Sequence, residues 1–575
     1  MSEQPKLSPV DQFKRDSQYL QGEIPEELVD ENDFFGKSSI QLLKHHGIYQ
    51  QDNRDTRNKP AEGGGKKEKE FNFMVRTKIP GGRLTSDQLL AELDLCDEVG
   101  NTTLRITTRQ GLQLHGVVKS DLKETINRIN EVQLSTLSAC GDVARNVMCV
   151  PVPCQTDSVH YEMQQLADQL AEHLCPRTTA YHQIWLTDPD TGEKQRVDDG
   201  QGVNGRHEDD VEPIYGKQYL PRKFKMAIGL PGDNSVDLYT QDLGIMAICE
   251  DFRIVGYNLL VGGGFGVTPS AKKTYQAIGR PLAFVLPDQV VDVAIAIIKV
   301  QRDAGNRADR KVARLRYTID GMGFDRFRTT VEEYFGQSLD APRSAEVFGF
   351  DDGIGWCEQG EGLWFYGLNV ENGRIKDDGN FRLKSALRGI CTTIRPGIRL
   401  TPHQSILFVD VAGEDRERLE NILRSHGVPL SNEISNARRW SIACPALPTC
   451  GLSITESERA LPGMIDQLDV EIEKLGLENE KFTIRMTGCP NGCARPYNSD
   501  IGLVGKAKGK YTVLLGGRLL GDRLNFIYKD LVPSEDVVGE LAAVFGYFAM
   551  ERQADETFGD FCFRKGKDAL LAGTQ

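Results

Sequence analysis

The residues best suited to carry chemistry are cysteines. Cys444-Pro-Ala-Leu-Pro-Thr-Cys450 forms one arm and Cys489-Pro-Asn-Gly-Cys493 a second, with a long spacer between them. Thiolates are the soft ligands that iron–sulfur clusters require, and a cubane takes one per iron. Pro448 and Pro490 oppose regular helix in the arms, and Asn491-Gly492 tolerates positive φ, so the backbone can wrap a compact inorganic core. Two other readings stand beside this one. Structural zinc usually takes a tighter C-x2–4-C knuckle at both arms, and buried cysteines often bind nothing at all.

C-x5-C followed by Thr-Gly-Cys-Pro-Asn-Gly-Cys at 487–493 resembles the signature of the siroheme-containing sulfite and nitrite reductases. The rest of the chain is similar to the haemoprotein (beta) subunit of the assimilatory sulfite reductases over nearly its whole length. The resemblance implies a [4Fe–4S] cluster on Cys444, Cys450, Cys489 and Cys493, with Cys493 also bridging to siroheme iron. It implies six-electron reduction of sulfite to sulfide in sulfate assimilation, electrons passing from an external donor through the cluster to siroheme.

A site for a small oxyanion needs fixed positive charge and proton donors beside the metal. Arg76 precedes Pro80-Gly-Gly, Arg145 sits in Asp-Val-Ala-Arg-Asn, and Lys223 and Lys225 flank Phe224. On a strand, residues 223 and 225 project from one face while Phe224 points to the core. Each alone reads as a solvated charge. The resemblance gives all four a different role, as the cations over the distal face of siroheme. Siroheme is rimmed with carboxylates, so its pocket needs Arg, Lys and amide donors. Arg105 and Arg109 alternate so as to share a strand face with Thr107 and Gln113, and they match family residues that contact the macrocycle. Asn491 and Gly492 are expected to offer backbone contacts near it. The arginine-rich run 301–316 is either a further carboxylate-binding segment or a charged helix face.

Rival functions are a siroheme nitrite reductase on the same scaffold and a non-catalytic iron–sulfur electron carrier. The nitrite enzymes tend to carry Asn at the second lysine position, where this chain has Lys225, and a second cation suits doubly charged sulfite. The chain lacks a ferredoxin-type C-x2-C-x2-C run, which disfavours the dissimilatory sulfite reductases. The glycine run 261–266 lacks GxGxxG spacing, and no segment looks like a flavin or nicotinamide domain. Electrons must therefore come from another protein, an NADPH-dependent flavoprotein in preference to a ferredoxin.

The 575 residues suffice for about four domains. A net charge of −14 argues against nucleic acid as a partner, while leaving room for a local basic pocket. Nine further cysteines without a dense framework fit buried thiols in a reducing compartment. The N-terminus has no signal-like apolar segment, and Leu282–Val300, interrupted by Pro287 and Asp288, reads as an amphipathic buried helix and not a membrane span. A cytoplasmic protein is expected.

Internal repeats set the architecture. Arg105, Thr107 and Gln110 recur as Arg399, Thr401 and Gln404; Arg145–Cys149 recurs as Trp440–Cys444; Leu230 and Asn234 stand where the second half has Cys489 and Cys493. The first half cannot hold a matching cluster and is free to supply the substrate side. Cys149 and Cys154 lack a second arm and read as structural thiols. The expected fold is α+β and duplicated: two ferredoxin-like half-domains form a central domain, joined by two related α+β lobes with siroheme at their junction. The expected boundaries are 1–65 for an N-terminal extension and linker and 66–138 for the first half-domain. The first lobe takes 139–345, the second half-domain 346–425, and the cluster-bearing lobe 426–575.

Overall fold

The computed structural model describes residues 7–57, 59, 69–153, 158–187 and 212–574. Four five-stranded sheets carry the described chain, two in a central domain and one in each lobe. The first central sheet runs Ile48–Asp52, Phe71–Thr77, Leu112–Val117, Leu104–Ile106, then Arg374–Ile375. The second runs Gly355–Gly360, Leu363–Leu368, Ile406–Ala412, Gly397–Leu400, then Arg83–Leu84. Each half therefore lends its short edge strand to the other, with Arg374 opposite Arg105 and Arg83 opposite Arg399. The exchange leaves no break between the halves, and the helices Ser86–Glu98 and Leu383–Thr393 pack against each other below it.

The turn that precedes the inner strand is the same in both halves. Thr107 Oγ1 accepts from the amides of Arg109 and Gly111, and Thr401 Oγ1 accepts from that of Ser405. Gln110 and Gln404 both take positive φ, 54° and 63°, and turn their amides inward. This corrects one expectation: Arg109 does not continue the strand of Arg105, because Thr107 caps a tight turn and the chain reverses at 107–111.

The lobes repeat as well. Ala144–Cys149, Phe224–Gly229 and Leu243–Glu250 run parallel, followed by antiparallel Arg253–Val261 and Arg280–Val285. Ser441–Ala443, Ile484–Thr487 and Ile501–Ala507 run parallel, followed by antiparallel Lys510–Leu515 and Phe526–Pro533. Helices Val159–His173 and Leu461–Lys474 make the first crossover in each lobe, as parallel neighbours require. Arg280–Val285 also corrects the single helix expected over 282–300: Pro287-Asp288 breaks the apolar run into a strand and the helix Val290–Ala304. No described helix is long and apolar enough to cross a membrane.

Arg495 lies where all these parts meet. Its guanidinium donates to Thr108 O and Pro402 O, equivalent carbonyls of the two turns, each at 3.0 Å, while Nε pairs with Asp237 of the first lobe. Asp237 also holds Arg485 at 2.9 Å and Asn498 at 3.1 Å. Burial opposes the charge of this carboxylate, but the guanidiniums of Arg485 and then Arg495 hold it below the ordinary range.

Candidate metal and anion site

The cysteine arms leave the ends of the second lobe's first two strands. Gly488 N donates to Cys444 Sγ at 3.3 Å and Asn491 Nδ2 to Cys489 Sγ at 3.5 Å, contacts of the kind that orient a metal-bound thiolate. Cys444 and Cys489 are buried, Cys450 is half-buried, and Cys493 is exposed toward the lobe junction. Burial first, and then the neighbouring Cys493, push the Cys444 and Cys489 thiols up to about 12. Such crowded thiols ionise readily only on a cationic metal core. Among the described residues no three His, Cys, Asp or Glu side chains gather closely enough to share one ion.

Gly492, at φ 63°, has no room for a side chain: a Cβ would lie 2.8 Å from the Tyr497 ring and 3.3 Å from Phe265. Phe265 belongs to the first lobe's glycine run, where Val267 N donates to Pro490 O at 3.1 Å. The glycines expected to bind no dinucleotide thus form the seam between the lobes.

The first lobe presents its cations to this seam. Phe224 is fully buried, and Lys223 and Lys225 on either side are half-buried. Neither ammonium has a hydrogen-bond or ion-pair partner among the described residues. Burial and then Lys225, Arg222 and Arg145 hold Lys223 well below the usual lysine range. Burial and then Arg109 and Arg314 do the same at Lys225, opposed by the charge of Cys493. The first lobe thus brings two unpaired ammonium groups to the seam, and Lys225 is close enough to Cys493 to feel its charge.

Arg145 donates from Nε and Nη2 to Gly141 O at 3.1 and 3.0 Å. Arg76 donates from Nη1 to Cys140 Sγ at 2.8 Å and lies 5.9 Å from the Tyr49 ring. With its amide oxygen turned toward Arg76, Gln113 accepts from Nη2 at 2.6 Å and Nε at 3.2 Å. Arg109 reaches Gln241 Oε1 at 3.0 Å and Asn146 O at 2.5 Å, and its buried Nε is unpartnered. Burial, then Arg145, lowers Arg109 to about 9.

Arg105 sits differently from its companions. It binds Glu458 Oε2 at 2.9 Å and Ala443 O at 2.8 Å, and Arg374 shares the same carboxylate at 2.6 Å. Its charge is spent inside the protein, bracing the strand that ends at Cys444.

The run 301–316 divides. Arg302, Arg307 and Arg310 hold loop carbonyls, and Arg314 grips Asp242 at 2.7 and 2.9 Å. Arg316 alone keeps two buried, unpartnered nitrogens, Nε and Nη1, and Nη1 occupies the space a Cβ on Gly264 would need, at 2.6 Å. Unpaired buried guanidinium nitrogens on Arg109 and Arg316, with the free lysines, fit a polycarboxylate macrocycle at the seam. Sequence reasoning missed Glu458, Gln404, whose Oε1 accepts from Ala443 N at 3.2 Å, and Arg54, which donates to Cys450 O at 3.1 Å. Only Gln404 had left a trace, through its repeat. Cys154 lies outside the described residues, as does most of the expected linker over 62–70.

Comparison with known proteins places the chain in a family. The model of the nitrite and sulphite reductase 4Fe-4S domain matches residues 166–339, and that of the nitrite/sulfite reductase ferredoxin-like half domain matches 65–132 and 358–426. The chain is 42% identical over 571 residues to a "Sulfite reductase [NADPH] hemoprotein beta-component" of Staphylococcus haemolyticus, covering 99% of this chain and 97% of that one. This chain belongs to the nitrite and sulfite reductase family. It is also 44% identical to a "Sulfite reductase [ferredoxin]" of Synechococcus elongatus, covering 98% of this chain and 90% of that protein. The solved structure of Mycobacterium tuberculosis NirA shares the fold, with a TM-score of 0.80 at 23% identity over 99% of this chain and 98% of that one. The duplicated α+β architecture is therefore the family fold. The span 166–339 lies in the first lobe and contains none of the four cysteines, so the domain model recognises the shared lobe and not the ligands.

Proposed function

We propose that this chain is the haemoprotein of an assimilatory sulfite reductase, reducing sulfite by six electrons to sulfide. The observation that carries the reading is the lysine pair Lys223 and Lys225, unpartnered among the described residues, with Lys225 close enough to feel the charge of Cys493 across the lobe seam. Cys444, Cys450, Cys489 and Cys493 would hold one [4Fe–4S] cluster, and Cys493, the exposed member, would lie on the siroheme side of it. Arg109 and Arg316 take siroheme carboxylates on their free nitrogens, Gln113 fixes Arg76, and Asn491 and Gly492 keep the backbone close. When bound, these cofactors would relay electrons from the donor protein to sulfite.

The protein's part is to bind, orient and protonate. Arg76, Arg145, Lys223 and Lys225 hold the sulfite oxygens and stabilise negative charge as it builds there. The two lysines, with pKa values depressed by burial, give up protons more readily than a free lysine would. Arg105, expected as a siroheme contact, pairs with Glu458 and holds Ala443 O, and so braces the strand that leads to Cys444. Electrons come from a separate protein, and we favour an NADPH-dependent flavoprotein over a ferredoxin on the likeness of the N-terminal extension. The setting is cytoplasmic. Turnover of the iron- and siroheme-loaded protein with a chemical one-electron reductant, with sulfide assayed as product, tests the reading. Sulfide in a one-to-three ratio to electron pairs is expected; loaded protein that reduces neither sulfite nor nitrite would leave only an electron carrier.

A further inference from the structure

Four consecutive backbone carbonyls lead into the lysine pair, and a side chain holds each. Tyr219 O accepts from Arg307 at 2.8 Å, Leu220 O from Lys14 at 2.5 Å, Pro221 O from Arg310 at 3.0 Å and Arg222 O from Gln301 at 3.3 Å. Lys14 stands apart in this set. It comes from the N-terminal helix Pro9–Arg15, more than two hundred residues away in sequence, and its side chain is fully buried at 0% exposure.

The same ammonium bonds Asp142 Oδ2 at 3.2 Å and Asp11 Oδ1 at 3.0 Å. Asp142 follows Gly141, whose carbonyl oxygen holds the Arg145 guanidinium. Leu220 N donates to Asp142 O at 3.0 Å, and Asp142 N donates to His45 Nε2 at 3.1 Å. Lys14 therefore touches both loops that present anion-site cations: Gly141–Asp142, which carries Arg145, and Leu220–Arg222, which carries Lys223. Burying a lysine is costly, and a well-packed apolar residue often serves stability as well or better. Its placement here calls for a role that packing alone does not supply.

We propose that Lys14 is a positioning residue for the sulfite site: it locks the two loops together and so sets the spacing of Arg145 and Lys223 around the anion. This rests on the reading of those two residues as anion ligands. The N-terminal segment is then part of the active-site scaffold.

The test uses loaded full-length enzyme and a chemical reductant on three variants. Lys14→Met keeps the volume and removes the charge. Ser8→Ala removes the N-cap of the same helix, where Ser8 Oγ accepts from Asp11 N at 3.3 Å, without touching either loop. Lys223→Gln reports on the site itself. Lys14→Met is expected to raise KM for sulfite about tenfold with kcat within about twofold, while Ser8→Ala lowers Tm and leaves KM unchanged. Lys223→Gln raises KM as well. A raised KM in Lys223→Gln with an unchanged KM in Lys14→Met overturns the positioning role alone. Equal KM shifts in Lys14→Met and Ser8→Ala also overturn it, since they would report only a loosened helix. An unchanged KM in Lys223→Gln overturns the site reading and this proposal together. Should Lys14→Met fail to load, Arg307→Gln, which frees Tyr219 O, is expected to raise KM about threefold, and no rise counts against the proposal.

Discussion

The two lobes share one sheet plan and diverge at the ends of its parallel strands. In the first, Lys225 N donates to Asp242 at 2.9 Å; in the second, Thr483 N donates to Asp500 at 3.1 Å, so the two aspartates are equivalent. Asp242 is paired with Arg314, and the strand beside it, Phe224–Gly229, starts at Lys223 and Lys225. Asp500 has Thr483 as its side-chain partner, and the neighbouring strand ends in cysteines. A duplicated scaffold thus carries cations on one side of a seam and soft ligands on the other. The lesson is a division of labour: the strand framework is held in common, and the chemistry lies in a few side chains at strand ends.

The comparison can be broken most severely at the cysteines. Cys493→Ser is expected to abolish coupled cluster and siroheme absorption and to cut sulfite turnover about a thousandfold or more, whereas Cys149→Ser, at the first-lobe equivalent of Cys444, leaves the spectrum intact. A normal coupled spectrum in Cys493→Ser would defeat the bridging assignment.

The aspartate pair offers the next test. Asp242→Asn strands the buried Arg314 and should cost about 3–5 kcal/mol, read as a large drop in Tm. Asp500→Asn should cost less than about 1 kcal/mol near neutral pH, since no cation is left unpaired. Burial raises Asp500 to about 6, so the folded state holds a proton that the unfolded state has released between about pH 4 and 6. Its contribution to stability is full below that window and is lost as pH rises through it. Asp500→Asn should flatten that slope in a Tm-against-pH series, and an unchanged slope would mean another group sets it.

Lys225→Asn tests the substrate side. It should lower kcat/KM for sulfite about tenfold while nitrite changes little; an unchanged ratio removes the lysine discriminator. The smallest effect concerns the paired glutamines. Gln110→Ala and Gln404→Ala each lose an amide that pins a strand end, Cys149 N and Ala443 N respectively, and should cost about 1–2 kcal/mol. Only Gln404→Ala should speed loss of iron to a chelator, because only that strand runs into a cluster ligand.

Much of this asymmetry was legible in the sequence. The repeats at Arg105/Arg399 and Gln110/Gln404 exposed the duplication, and the second half alone has cysteines at the positions matching 230 and 234. What stayed hidden was long-range. The pairing of Arg105 with Glu458, more than three hundred residues later, has no trace in strand periodicity. Arg109 was assigned to a strand because Thr107 gives no outward sign of capping its own turn. The exchange of edge strands at Arg83 and Arg374, and the burial of Lys14 beneath the anion site, depend on tertiary contacts that local pattern cannot encode.

The central claim is that the cations of one lobe hold sulfite against the metal of the other. It is tested most directly by kcat/KM for sulfite and for nitrite on one preparation of loaded enzyme with a chemical one-electron reductant. A clear preference for sulfite, with sulfide as product, is predicted. A preference for nitrite would contradict the reading of Lys223 and Lys225 as a sulfite-selecting pair.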